Sequence, residues 1–179
     1  YYGLDLARFG ALLAATGEAL HPGLRLAPVP GDTAPGAPAR VLFLCTGASA
    51  RSPMAAALAR LHSRGAVQAS CAGSHPRPVH PNAVRIMREI HGLDLSGHEP
   101  VHMGAFAGQT FDAVITLCDR VREVCPEPAG RPDMIHWSLP NPATGEPDDI
   151  TYPLFQQTAA ELSNRVGYLI AGLASRLST

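Results

Sequence analysis

Short apolar runs along this chain alternate with longer stretches in which apolar residues recur every three or four positions. The runs at 41–44 and 111–117 are typical of strands buried on both faces of a sheet. Two further strands are predicted at 66–72 and 134–137. Because helical patterns separate the strands, we expect an α/β fold, with a four-stranded parallel sheet flanked by helices on both faces.

The first helix of this fold is predicted to begin at a strong local start signal. Ser52 is interpreted as a hydroxyl N-cap and Pro53 as the first helical residue. Met54, Leu58 and Leu61 then recur at helical spacing, which predicts that they share one buried face.

Two more helices complete the predicted domain. One covers residues 81–91, begins after His80 and stops at Gly92, and its inward positions are Val84, Met87 and Ile90. A long amphipathic helix closes the chain, with these inward positions: Phe155, Ala159, Leu162, Val166, Leu169, Leu173 and Leu177.

Ahead of this pattern lie two segments of different character. Residues 1–20 contain a rough apolar stripe that predicts an N-terminal helical extension, which would pack on its own domain or form a dimer contact. Residues 21–38 are rich in proline and glycine and are predicted to be an irregular linker. The domain with the sheet is therefore expected to span residues 39–179.

The loop between the first strand and first helix carries candidate chemistry. Cys45 ends the strand, and the following loop consists of Thr46, Gly47, Ala48, Ser49, Ala50, Arg51 and Ser52. Small residues allow successive N–H groups to surround an anion, the helix dipole adds positive potential, and Arg51 offers a planar fork. This field favours the thiolate of Cys45, to which Ser52 could donate a hydrogen bond. The alternative is a core cysteine beside a surface arginine.

A second pair of cysteines, Cys118 and Cys125, flanks a short polar segment after the third strand. In an intact helix, seven residues would separate their Cα atoms by about 10.5 Å. A disulfide requires about 4.4–6.8 Å, so oxidation would have to unwind the segment. The alternative is that both cysteines are structural. Cys71, inside the second predicted strand, is interpreted as structural, and no cysteine or histidine spacing indicates a zinc site.

Composition narrows the class of protein. The chain has 179 residues, of which 46% are hydrophobic and 16% charged, and its net charge is −1. This balance suits a globular domain and gives no basic footprint for nucleic acid. With no membrane-length apolar run and no dense cysteine framework, we expect a cytoplasmic protein with reduced thiols.

The segment from Cys45 to Ser52 resembles the phosphate-binding loop of the low-molecular-weight protein tyrosine phosphatase fold. From Arg40 to the C-terminus the chain is most similar to the thioredoxin-coupled arsenate reductases of that fold. The resemblance implies reduction of arsenate to arsenite, with Cys45 as nucleophile, Arg51 as oxyanion clamp, and the later cysteine pair as a disulfide relay. It implies no bound cofactor, thioredoxin or a small thiol as reductant, and phosphate or sulfate as competing anions.

Two positions depart from the pattern of these reductases. Ala48 replaces an asparagine that helps to shape the loop, and Asn141 replaces the aspartate that acts as general acid. Loss of a general acid typically costs about 10²–10⁴-fold in rate, so slow catalysis is expected. Three carboxylates that follow closely are candidate substitutes: Glu146, Asp148 and Asp149.

The first nine residues resemble the wing end and dimerisation helix of arsenic-responsive winged-helix repressors. This resemblance implies a fusion in which DNA is contacted only through an upstream domain and a homodimer forms through the N-terminal helix. An alternative function is accordingly an arsenic-binding sensor with little turnover, in which Cys45, Cys118 and Cys125 could converge on trivalent arsenic. A phosphotyrosine phosphatase is the third function, although Asn141 and the cysteine pair both weigh against it.

Overall fold

The computed structural model of this protein describes residues 37–125 and 129–177, with side chains to 174. The predicted N-terminal helix and almost all of the linker lie outside these residues. The elements, in chain order, are β1 (Ala39–Cys45), α1 (Arg51–Ser63), β2 (Val67–Gly73), α2 (Pro81–His91), β3 (Ala113–Thr116), α3 (Asp119–Val124), β4 (Asp133–His136) and α4 (Asp148–Leu177). Residues 37–170 form one compact unit.

The four strands form one parallel sheet in the order β2-β1-β3-β4, which confirms the predicted fold class. β1 lies between β2 and β3, and every residue of β1 except Arg40 is buried. The register pairs Cys45 with Gly73 and Leu44 with Thr116. Since parallel strands end at the same edge, residues that follow β1, β2 and β3 meet there.

Helix α1 begins two residues earlier than predicted. Its N-cap is Ala50, which makes no side-chain capping bond, and Arg51 is already helical. The prediction that Ser52 caps this helix is wrong, because its hydroxyl faces Cys45 and the carbonyl of Ala72 instead. The predicted inward position Leu61 is 42% exposed, so the buried face of α1 narrows toward its end.

Helix α2 has the predicted ends. His80 is its N-cap, with Nδ1 accepting from the N–H of Asn82, and Gly92 ends it in the left-handed conformation at φ 66°. The predicted buried face is partly wrong, since Ile90 is 57% exposed and Val84 is half-buried. Met87 is buried as predicted, and Ala83 and Ile86 complete the docking face of the helix.

The long helix α4 covers the core with a stripe of buried residues close to the predicted one. Phe155, Leu162 and Val166 are fully buried, and Ile170 is more buried than the predicted Leu169. The ring of His80 stacks on Phe155 with centroids 4.7 Å apart. This contact joins the start of α2 to α4 and supports the segment that borders the Cys45 loop.

Candidate active site

The Cys45 side chain lies at the carboxyl end of β1, where it is 2% exposed. Its Sγ atom is 3.1 Å from the hydroxyl of Ser52, the second residue of α1. A hydroxyl at this distance can donate to a thiolate and stabilise its negative charge. The predicted pairing of these two residues is therefore present.

The loop after Cys45 is held from outside by the segment that follows β2. The N–H groups of His75, Arg77 and His80 donate to the carbonyls of Thr46, Gly47 and Ser49, each at 2.8 Å. These three hydrogen bonds fix the backbone of the loop against the backbone of residues 75–80. Sequence analysis missed this backbone contact.

Two loop positions show how tightly the backbone is folded. Ala48 is buried and has φ 45°, a left-handed conformation that favours glycine or asparagine over alanine. Gly73, at the end of β2, lies so close that an added Cβ would be 2.7 Å from the carbonyl oxygen of Thr46 and 2.9 Å from the amide nitrogen of Ala48. Only glycine fits there, a requirement that sequence analysis missed.

Arg51 is the first residue of α1, and its side chain is buried rather than solvated. Its Nη1 atom donates to the carbonyl oxygens of Leu139 at 2.7 Å and Leu117 at 3.4 Å. These bonds tie the loop to the residues that follow β3 and β4. Because the guanidinium has five N–H donors in a rigid fork, further donors remain for an oxyanion.

Cys118 joins the same site from the far side of the chain. It is the N-cap of α3, is 8% exposed, and its Sγ atom lies 3.3 Å from the hydroxyl of Thr46. Burial acts to raise the pKa of Cys118, but hydrogen bonds from Thr46 and Val121 and the charge of Arg51 outweigh it, so the pKa lies below the ordinary value. A lowered pKa increases the thiolate fraction, and the thiolate is the nucleophilic form of cysteine.

Cys125 lies at the other end of α3, where it is the C-cap and half-buried. Burial raises the pKa of its thiol. The segment between the two cysteines is helical over Asp119–Val124, so the predicted separation of about 10.5 Å applies and the pair cannot bridge in this conformation.

The remaining cysteine, Cys71, lies in β2 opposite Phe43 and is 4% exposed. Burial raises the pKa of this thiol to about 12, with Arg60 lowering it and Cys45 raising it further. Its Sγ atom lies 3.3 Å from Nε2 of His98. A thiol with this pKa stays protonated at neutral pH, as its structural interpretation requires.

Asn141 is the residue at the position expected for a general acid, and its side chain forms a local hydrogen bond. The side chain is exposed, and Nδ2 donates to the carbonyl of Ala143 at 2.7 Å. Among the candidate substitutes, Asp148 accepts from Asn82 at 2.6 Å and pairs with Arg85, while Glu146 and Asp149 are exposed. The contacts of Asp148 direct it toward α2.

Two further features of the described residues concern metal binding and membrane insertion. Within 37–125 and 129–177, no group of three or more histidine, cysteine or acidic residues has an arrangement that could hold a metal ion. Within the same ranges, none of the helices has the length and apolar character needed to cross a membrane.

Known proteins share this fold. Residues 40–178 match the family model of the low molecular weight phosphotyrosine protein phosphatases. An arsenate reductase from Halalkalibacterium halodurans is 32% identical over 127 residues, which are 70% of this chain and 91% of that protein. An arsenate reductase in the phosphate binding state has a TM-score of 0.64 and 29% identity, covering 75% of this chain and 98% of its own. For an arsenate reductase in oxidized state the TM-score is 0.65 and the identity 28%, covering 74% and 97%.

Proposed function

We propose that this chain, which belongs to the low molecular weight phosphotyrosine protein phosphatase family, reduces arsenate to arsenite through its cysteines. The observation that carries this proposal is the contact between Cys118 and Thr46, the neighbour of Cys45. A phosphatase needs one nucleophilic sulfur, whereas a reductase needs a second thiol beside the first. The similarity to arsenate reductases over most of the domain supports the same function.

The first step forms a bond between sulfur and arsenic. Arsenate binds in the loop, where Arg51 and the backbone N–H groups balance its charge. The Cys45 thiolate attacks arsenic, and one arsenate oxygen leaves as water after protonation. The adduct still contains pentavalent arsenic, so no electrons have moved in this step.

The second step transfers the electrons. The Cys118 thiolate attacks Sγ of Cys45, and a disulfide forms between the two cysteines. The bond from Cys45 to arsenic breaks with its electron pair on arsenic, which leaves as arsenite. Two thiols have then lost two electrons and arsenic has gained two.

The third step returns Cys45 to its thiolate form. The Cys125 thiolate attacks Sγ of Cys118, the bond between Cys118 and Cys45 breaks, and Cys45 leaves as a thiolate that Ser52 can stabilise. The Cys118–Cys125 disulfide is then reduced by exchange with thioredoxin or a small thiol. Because each turn of this cycle starts from reduced thiols, it suits a reducing, cytoplasmic setting.

Protonation of the leaving oxygen is the weak point of this cycle. Asn141 has no acidic proton to give, and its amide already donates to Ala143. We therefore expect slow turnover. Ala48 adds to this expectation because its left-handed backbone stores strain in the loop.

The same two positions favour a second function, an arsenic-binding sensor with little turnover. In that case residues 1–20 would belong to a fused winged-helix repressor, with DNA bound upstream and a homodimer formed through this segment. The three site cysteines would then hold arsenic rather than cycle. Phosphotyrosine hydrolysis remains a third candidate from the family alone.

A coupled assay distinguishes these functions. NADPH consumption is measured with thioredoxin and thioredoxin reductase, with and without arsenate, for the wild type and Cys45→Ser. Arsenate-dependent consumption that the substitution abolishes is the expected result. If the wild type consumes no NADPH yet still binds arsenate or arsenite, the reductase proposal is wrong and the sensor is favoured. Release of phosphate from a phosphotyrosine peptide would identify the phosphatase.

A further inference from the structure

A network of four polar side chains fastens the first turn of α3 to the ends of β3 and β4. Asp119 follows Cys118, and its Oδ1 atom is 2.8 Å from Nε2 of His136. Its Oδ2 atom accepts from the hydroxyl of Ser138 at 3.3 Å. On the other side of the imidazole, Nδ1 lies 2.8 Å from the hydroxyl of Thr116, which is 2% exposed. The imidazole of His136 thus connects a buried strand end to the helix between the two relay cysteines.

Helix α3 depends on such contacts because it has little stability of its own. It contains six residues, whereas isolated helices need about 12–15 residues to be even marginally stable in water. Val121 is the one buried residue of this helix. Asp119 in the first turn interacts favourably with the helix dipole and also reaches His136.

The relay requires this helix to open. When Cys125 attacks Cys118, a bond forms between those two sulfurs, the bond from Cys118 to Cys45 breaks, and its electron pair leaves on Cys45. The product disulfide brings the Cα atoms of Cys118 and Cys125 from about 10.5 Å to within about 7 Å. An intact α3 cannot accommodate that approach, so its contacts must be lost or rearranged.

We infer that the Asp119–His136 pair is a latch that holds α3 in its helical dithiol state and thereby opposes formation of the Cys118–Cys125 disulfide. The two residues are positioning residues that act through the helix. This inference rests on the proposed relay and adds to it the residues that set its redox equilibrium. The side chain of Asp119 is 71% exposed and that of His136 22% exposed, so the expected effect is moderate.

Thiol–disulfide exchange provides the direct measurement. The full chain carrying Cys45→Ser, which leaves the pair Cys118 and Cys125, is equilibrated with mixtures of reduced and oxidised dithiothreitol. Two protein thiols and one cyclic disulfide convert to one protein disulfide and one dithiol. Acid quenching, alkylation and peptide mass analysis then give the equilibrium constant for the Cys118–Cys125 disulfide.

Two substitutions release the latch with little change in size: Asp119→Asn and His136→Gln. Asp119→Asn also removes the charge that interacts with the helix dipole, whereas His136→Gln leaves that charge in place, so His136→Gln tests the contact alone. Each is expected to favour the protein disulfide about three- to tenfold, since it weakens a contact of the dithiol state alone. The double variant should add little to either single one, because both act on one pair.

Asp94→Asn is the matched control, because Asp94 is also an exposed carboxylate with two partners, Arg88 and the N–H of Ser96. Its equilibrium constant should equal that of the parent. Melting temperatures give a second readout: releasing the latch should lower that of the dithiol form and leave that of the disulfide form unchanged. A purely structural pair would lower both equally.

The outcomes separate the latch from the relay beneath it. If the Cys118–Cys125 disulfide forms but its equilibrium constant is the same in the parent, Asp119→Asn and His136→Gln, the latch is wrong and the relay stands. A shift toward the dithiol, or an equal shift in Asp94→Asn, also overturns the latch. If the parent forms no Cys118–Cys125 disulfide under any ratio of dithiothreitol, both the relay and the latch are wrong.

Discussion

The Sγ atom of Cys118 lies 3.3 Å from the hydroxyl of Thr46, although 72 residues separate them along the chain. Thr46 directly follows Cys45 in the sequence, whereas its hydroxyl contacts the thiol of Cys118. The contact unites the anion-binding loop and the α3 segment in one site. In the proposed relay, this contact places a loop residue beside the thiol that attacks Cys45.

Thr46→Val should weaken Cys118 as a nucleophile. Its hydroxyl is one of the groups that hold the pKa of Cys118 below the ordinary value, so its removal should raise that pKa. A smaller thiolate fraction at neutral pH should slow alkylation of Cys118 by iodoacetamide about three- to tenfold. Peptide mass analysis across a pH series measures this rate. Thr46→Ser, which keeps a hydroxyl, should retain most of the alkylation rate. An unchanged rate in Thr46→Val would contradict the assigned contact.

Cys125→Ser should limit the protein to one turnover. Without the third thiol, the Cys45–Cys118 disulfide has no internal route to reduction, so arsenite should form at about one equivalent per protein. Mass analysis should then find Cys45 and Cys118 joined. Cys71→Ala is the control, since the raised pKa of Cys71 keeps its thiol out of the relay, and it should turn over repeatedly. Multiple turnover by Cys125→Ser with thioredoxin would rule out the assigned order.

Ser52→Ala should slow catalysis through Cys45. The lost hydrogen bond, at 3.1 Å in a buried site, stabilises the charged form of the sulfur, so arsenate turnover should fall about tenfold or more. Steady-state kcat is the measurement. Ser63→Ala is a suitable control because Ser63 is also buried on α1 and its hydroxyl donates to the Arg60 carbonyl, away from Cys45. Equal losses in the two variants would show a general effect on α1 instead.

Gly73→Ala should damage the loop through its backbone. The new Cβ would meet backbone atoms of the loop at 2.7–2.9 Å, so the strand or the loop must shift. We expect a loss of about 1–3 kcal/mol in the free energy of unfolding and weaker phosphate binding. Denaturant unfolding and phosphate titration measure the two effects. Gly97→Ala, where an added Cβ meets nothing within 4 Å, should change neither, and tight phosphate binding by Gly73→Ala would refute the close approach.

The contribution of Asp119 to stability should depend on pH with a defined sign. Its hydrogen bond with His136, and then that with Ser138, hold the pKa of this carboxyl below its ordinary value. A depressed pKa in the folded state contributes stability above the unfolded pKa, which is lost as pH falls through the folded one. Melting temperatures of the wild type and Asp119→Asn should therefore differ at neutral pH and converge under acid conditions. A difference that grows as the pH falls would contradict this assignment.

The local pattern of the sequence was sufficient for the four strands, for helices α1, α2 and α4, and for the position of the loop, whereas α3 was not predicted. Apolar runs at 41–44 and 111–117 identify buried strands because both faces of a parallel sheet are covered. Cys45, the small residues after it and Arg51 lie within seven positions of one another, so their chemistry can be read from adjacency. The helical spacing from Cys118 to Cys125 likewise follows from chain geometry alone.

Tertiary packing decided what periodicity leaves undetermined. Which side of α2 is buried depends on how the helix docks, so Ile90 is exposed despite its spacing. The hydroxyl of Ser52 binds Cys45 rather than capping α1, because the strand end lies within its reach. Three further contacts exist only because parallel strands end at a common edge. They are the close approach of Gly73 to the loop, the contact of Thr46 with Cys118, and the contact of Asp119 with His136. A linear pattern encodes which residues can act, whereas the sheet determines which of them meet.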